Sequence, residues 1–269
     1  MDVLREFVAE AAKVAPGFEV RFKDKSLLMK TLGVVLSPFN PYFMTEFITT
    51  LGSTVYFPSQ AMYEQDPDGS LRVLMHELVH AWDRKKHSLF GLTYLFPQIL
   101  ALPLLLLFGV LAWPYSWILA IPLVGYGLAA ILVRVHKALS WVALVVAVLA
   151  ALSLALALTG WSCVALFLAL VSLAPWPAPW RVRWELRGYT MSVVSTYWMT
   201  GCYSRDYRAH IVQQFVGPTY YYMSWDQGTI ERALDAAYHR AQTLGVIHEE
   251  PFEMSYAFLQ QHHLMWHVQ

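Results

Sequence analysis

The sequence is short of charge. Only 14% of its 269 residues are Asp, Glu, Lys or Arg, against about 25% in ordinary soluble domains. The deficit is concentrated between Ser88 and Trp180, where Arg134 and Lys137 are the only charged residues of those four types. Formal net charge is zero, which gives no reason to expect nucleic acid as a partner. Cysteine is nearly absent as well. Cys163 and Cys202 form no CxxC pair, which excludes a disulfide framework and a cysteine zinc knuckle. The first twenty residues mix both signs of charge and contain no apolar h-region, which argues against a signal peptide.

What is abundant is apolar surface, at 57% of residues. The chain reads as three parts, 1–87, 88–180 and 181–269. The middle block contains four apolar runs, Leu89–Trp113, Tyr115–Val135, Ala138–Leu158 and Trp161–Pro177, each near the ~20 residues that a bilayer requires. The expectation is therefore a four-helix transmembrane insert in contact with the lipid bilayer. The third run repeats Ala143, Ala147, Ala151 and Ala155 at four-residue spacing, a stripe suited to close helix packing. Basic residues flank one side only, at Arg84-Lys85-Lys86, Arg134 with Lys137, and Arg181 with Arg183. The positive-inside rule then predicts a multi-pass protein with both termini and the active site cytoplasmic.

In the first part, Val3, Phe7, Val8 and Ala11 recur at helical spacing until Pro16-Gly17. Phe18 to Phe22 alternates like a strand, and Ser26 is placed to cap a second helix reaching Leu36. The stretch FITTLGSTVYF, residues 47–57, predicts a strand or hairpin. Ser70 is a candidate cap for a helix over Leu71 to Lys85.

That helix carries HELVH at residues 76–80. Positions i and i+4 share a helix face, so His76 and His80 can present ring nitrogens to one metal ion, most naturally Zn2+. Zinc lowers the pKa of water towards ~7, and Glu77, one position round, is placed to take the proton as general base. Around these residues the helix is apolar, with Val73-Leu74-Met75 before, Leu78-Val79 within and Ala81-Trp82 after.

The third ligand decides the class. The metzincin pattern requires Gly and His where this chain has Asp83 and Lys86, with His87 one residue out of place. A motif inside a span with an Asp from another span is also excluded, because HELVH lies between Arg72 and Asp83 and the four runs contain no Asp. What remains is a glutamate on a later helix. Trp184-Glu185-Leu186-Arg187-Gly188-Tyr189 opens such a helix, and an even number of spans returns Glu185 to the side of His76. Its rivals Glu231, Glu249, Glu250 and Glu253 sit in a polar tail.

With these residues placed, the chain resembles the membrane-embedded gluzincins of the CAAX-protease and HtpX type, over residues 45–90 and 181–200. The resemblance implies an α+β, mostly helical zincin-like catalytic unit with a small edge sheet, built from 1–87 and 181–269. It further implies a zinc metalloprotease acting on peptides or membrane-protein segments, with His76, His80 and Glu185 as metal ligands. Zincins take substrate as an added strand before the motif helix, which points to Gly52, Ser53, Thr54 and Val55. The family usually has an Asp four residues after its glutamate ligand, where this chain has Tyr189. That tyrosine either acts in catalysis, by orienting a ligand or stabilising an oxyanion, or packs the helix. Asp83 either bonds a ligand histidine or ends the helix in solvent. His210, Tyr220, Tyr221, Tyr222 and His239 are open candidates for oxyanion stabilisation, and His262, His263 and His267 read as surface histidines. The alternative to a protease is a non-catalytic scaffold or pseudoprotease holding zinc. Substrate identity and oligomeric state are not legible.

Overall fold

A computed structural model of the protein describes residues 2–36, 42–112, 161–173, 176–217 and 222–266. The described chain is mostly helical with one three-stranded sheet. It divides into two compact units, one of residues 1–94 with 177–269 and one of residues 95–176.

The first unit opens with α1 (Asp2–Val14), which buries Leu4, Phe7 and Ala11 at helical spacing. Strand β1 (Glu19–Phe22) follows, then α2 (Leu27–Leu36). The 47–57 stretch is a hairpin, β2 (Thr49–Leu51) and β3 (Thr54–Phe57), turning at Gly52 with φ +71°, a conformation glycine adopts without a Cβ penalty. Strand order is β1-β3-β2, with β3 parallel to β1 and antiparallel to β2. The β-branched and aromatic residues of β3 explain its place. Val55, Tyr56 and Phe57 are all buried, so the strand richest in apolar surface takes the centre.

Next come α3 (Gln60–Gln65) and the long motif helix α4 (Pro67–Lys86). This helix begins four residues earlier than a Ser70 cap predicts. Asp66 accepts the Gly69 N–H at 2.9 Å, and Pro67 occupies the first turn, where its missing N–H costs nothing. Ser70 instead lies inside the helix and donates to the Tyr63 carbonyl at 2.8 Å. Short α5 (Phe90–Leu95) follows. The C-terminal half supplies α8 (Pro179–Thr200), α9 (Arg205–Val216), α10 (Gln227–Leu244) and α11 (Phe252–Gln261). Leu71, Leu74, Met75, Leu78 and Val79 of α4 share one core with α1, the sheet, Met191 and Val194 of α8, and Phe258 and Leu259 of α11. That core fixes α4 against α8.

The second unit contains α6 (Ala101–Ala112) and α7 (Trp161–Leu173), packed on each other. Here the sequence expectation fails. Among the described residues no helix is long and apolar enough to cross a membrane. The expected run Leu89–Trp113 is broken at Pro97 and by a 3-10 turn, Gln98–Leu100, leaving a 12-residue helix. The last run forms 13 helical residues before its prolines. At 1.5 Å per residue each covers under about 20 Å, short of the ~30 Å hydrocarbon core. The four-helix transmembrane insert therefore does not stand, nor does the multi-pass placement with cytoplasmic termini and active site. The runs Tyr115–Val135 and Ala138–Leu158, with the alanine stripe, lie outside the described residues.

Candidate metal centre

The site is built where α4 meets α8, entirely within the first unit. On α4, one turn separates His76 from His80, and their Nε2 atoms face each other at 3.1 Å. Across from them, Glu185 of α8 is 2% exposed, with Oε2 3.7 Å from His76 Nε2 and 3.8 Å from His80 Nε2. These three are the one group among the described residues whose donor atoms converge as a metal site requires. The circle through the three atoms has a radius of about 2.1 Å, within the 2.0–2.2 Å range of zinc bonds to nitrogen and oxygen.

Gly188, one turn beyond Glu185, explains how so tight a cluster fits. A Cβ at this position would lie 2.6 Å from His76 Nε2 and 2.9 Å from His80 Nε2. The missing side chain thus lets both histidine rings pack directly against the backbone of α8. Two imidazoles and one carboxylate, with no fourth protein ligand among the described residues, would leave one position of a tetrahedral ion open. The His76–His80–Glu185 group can hold a metal ion.

The surrounding residues orient these donors. His76 Nδ1 lies 2.9 Å from Ser192 Oγ, whose hydroxyl is directed at the Gly188 carbonyl at 3.4 Å. Ser192 therefore accepts from Nδ1–H, and Nε2 keeps its lone pair for the ion, the outer-shell arrangement typical of ligating histidines. The other Glu185 oxygen, Oε1, accepts the hydroxyl of Tyr94 on α5. Tyr94 is fastened in turn, since Arg181 Nε donates to its carbonyl at 2.8 Å and Trp184 Nε1 donates to neighbouring Thr93 Oγ1 at 3.1 Å. Asp83, buried, accepts Arg187 Nε at 2.9 and 3.1 Å, and Arg187 also reaches Glu249 at 2.8 Å. This clasp ties α4 to α8 two residues from Glu185, so Asp83 neither ends its helix in solvent nor touches a ligand histidine.

Electrostatics follow from burial and opposite charge. Burial alone works to raise the Glu185 carboxyl, but the facing His76 and His80 imidazoles outweigh it and hold it below the ordinary carboxylate range. Burial likewise works to lower the His80 imidazole, and Glu185, with help from Glu77 and Asp83, raises it instead. His80 Nδ1 has no hydrogen-bond partner among the described residues, so all polar contact of this ring is on the Nε2 side.

A cleft of about 520 Å³ opens beside His76 and Glu77. Glu77 is half-buried there, outside the ligand group, and its Oε2 accepts Thr50 Oγ1 of β2 at 2.7 Å. Thr54 and Val55 lie in β3, which is bonded on both edges, and Gly52 and Ser53 form the turn. The strand that reaches Glu77 with an outer edge unpaired among the described residues is β2, so Thr49–Leu51 is the edge nearest the site. Tyr189 lines the cleft and packs edge-on against the His76 ring at 4.8 Å and against Phe215 at 5.3 Å. From α9, Tyr207, His210, Ile211 and Gln214 line the opposite wall.

Of the tail candidates, His210 thus reaches the cleft, whereas Tyr222 and His239 are not among its lining residues and Tyr220, Tyr221 and His267 lie outside the described residues. Glu231 pairs with Arg208, Glu249 with Arg187, and Glu253 with His248. Sequence reasoning missed Thr50, Tyr94 and Ser192. Ser192 had a detectable signal, as it falls on the Glu185 face of α8 two turns on. Tyr94 had none, because it was counted into an apolar run. Comparison of the chain with protein families, curated proteins and solved structures finds no match.

Proposed function

We propose that the protein is a zinc-dependent peptidase of gluzincin type, with His76, His80 and Glu185 as ligands and Glu77 as general base. One observation carries this reading. A buried three-donor cluster adjoins an open cleft, and a carboxylate that is not a ligand, Glu77, lines that cleft one residue from His76. Zinc, when bound, supplies a Lewis acid that polarises a carbonyl and acidifies water. The chain's own residues do the rest. Thr50 aims the Glu77 carboxylate, which takes a proton from the water attacking the peptide carbonyl. It returns that proton to the amine nitrogen as the C–N bond breaks. The outer edge of β2 can take the substrate backbone as an added strand, and Tyr189 keeps the His76 ring in place.

The test is metal content and peptide cleavage on the same preparations. About one zinc per chain is expected. Glu77→Gln is expected to keep the metal and lose cleavage, because the base is not a ligand. Full cleavage in that variant would reject the mechanism. Metal retained with no cleavage of any peptide by the unaltered protein would leave a non-catalytic zinc protein.

A further inference from the structure

Arg72 lies on α4 one turn before His76 and lines the same cleft. Its side chain is half-buried, yet among the described residues it makes no ion pair or hydrogen bond. Every other cation of the two site helices that is half-buried or more and touches this region is engaged. Arg187 clasps Asp83 and Glu249, and Arg181 donates to Tyr94. The two carboxylates that line the cleft with Arg72 are exposed Glu46 and half-buried Glu77, which is held by Thr50, and neither forms an ion pair with it. A guanidinium partly withdrawn from water without a counter-charge is unfavourable unless a ligand supplies one. Its planar fork of donors matches a carboxylate in two parallel hydrogen bonds.

Resting on the peptidase reading above, we infer that Arg72 determines specificity by binding a carboxylate of the substrate. That carboxylate is either an acidic side chain or the free C-terminus. Its distance from the cut bond follows from the helix. Positions 72 and 76 are separated by about 6 Å of helix rise, and helical side chains lean towards the N-terminus, which carries the guanidinium further out. An extended peptide advances about 3.3 Å per residue, so the carboxylate sits about two to three residues from the scissile bond. The wall formed by α9 carries no carboxylate, only the Tyr207, His210 and Gln214 side chains with Ile211, so an incoming anion meets negative charge only at Glu46 and Glu77.

Binding and turnover are measured separately. The zinc-loaded Glu77→Gln protein, which cannot cut, is titrated with N-acetylated octapeptides that carry one Glu or Gln stepped along an otherwise neutral sequence. Each peptide is made with a free or an amidated C-terminus. One Glu position, or the free terminus, is expected to bind about tenfold to a hundredfold more tightly than its neutral twin. The Glu/Gln arm identifies a side-chain carboxylate and the acid/amide arm a terminal one. Adding Arg72→Gln should abolish that preference while neutral peptides bind as before, and Arg72→Lys should retain part of it. Equal affinity for charged and neutral twins, or an equal loss for both on Arg72→Gln, overturns the assignment. Unaltered binding preference with no cleavage by the Glu77 protein rejects the peptidase reading and leaves Arg72 as a carboxylate site. Cleavage without preference rejects Arg72 alone.

Discussion

Helices α4 and α8 build the two halves of the metal centre by different means. Helix α4 supplies two of the three donors that could hold a metal ion, together with the proposed base, within five residues, because one turn of helix aligns His76 with His80. Helix α8 supplies one ligand, and the rest of its contribution acts on the other helix. Gly188 makes room for the histidines, Ser192 sets the tautomer of His76, and Arg187 holds Asp83. The α4 half is local geometry. The α8 half exists only through its contact with α4, so it is where small changes should have effects out of proportion to their size.

The largest effect should come from the ligands themselves. His80→Ala and Glu185→Ala are both expected to lose most of the metal, by more than the ~10–100-fold that follows loss of an outer-shell partner. Glu249→Ala should leave metal content nearly unchanged, as its carboxylate pairs with Arg187 and not with the donor group. Metal analysis after dialysis decides this, and normal zinc in Glu185→Ala would break the pairing of the two helices.

Next is Gly188→Ala, the addition of one methyl group. Alanine in place of a helical glycine ordinarily gains about 0.5–1 kcal/mol. Here the new Cβ would lie 2.6 Å from His76 Nε2 and 2.9 Å from His80 Nε2, and both rings would have to move. Overpacking of this kind costs about 1–3 kcal/mol, so the net sign is destabilising. Zinc content should fall with Tm, and a variant that gained stability and kept its zinc would show that the helices are less closely apposed.

Ser192→Ala sharpens the comparison further. It removes only the acceptor of His76 Nδ1–H, and about tenfold weaker metal binding is expected, measured by competition with a chelator.

The pH dependence of the metal-free protein tests the charge balance across the interface. Burial opposes it, but Glu185 raises His80 from 6.5 to about 9. A raised pKa contributes stability that is complete below about 6.5 and is lost as pH climbs through about 9. Glu185 is lowered from 4.5, so its part of the same interaction is present above 4.5 and lost as pH falls. Tm of chelator-treated protein should therefore decline between pH 6.5 and 9, while zinc affinity rises over the same window because the metal displaces the His80 proton. A Tm that rose across it would contradict the pairing.

Tyr189→Phe should have the smallest effect. The ring contacts with His76 and Phe215 survive the change, and a small loss of turnover is expected. A loss of ~10²–10³-fold would instead mark the hydroxyl as an oxyanion donor.

Much of the first unit was legible because its signals are periodic and local. The hairpin over 47–57, the first helix and HELVH each repeat on the scale of one element. The second unit was misread for the opposite reason. Hydropathy reports solvent preference along a run and does not register where Pro97 and the 3-10 turn interrupt the helix. Ser70 was misread as a cap because Asp66 and Pro67 offered a stronger start just upstream. The edge strand was placed one strand too late, since burial of Val55 and Phe57 in the centre is a property of the assembled sheet.

By itself the sequence determined the donors on α4, since a 3.6-residue repeat leaves little choice about which side chains share a face. It also narrowed the third ligand to a short list of later glutamates. Only the tertiary structure decided that Glu185 converges with the histidines, that Thr50 and Tyr94 hold the carboxylates, and that Arg72 faces the cleft unpaired. Those relations join residues 27 to 109 positions apart, which no local pattern encodes. They arise because the apolar faces of α4 and α8 share one core, and because Gly188 lets the two backbones approach until their polar groups meet.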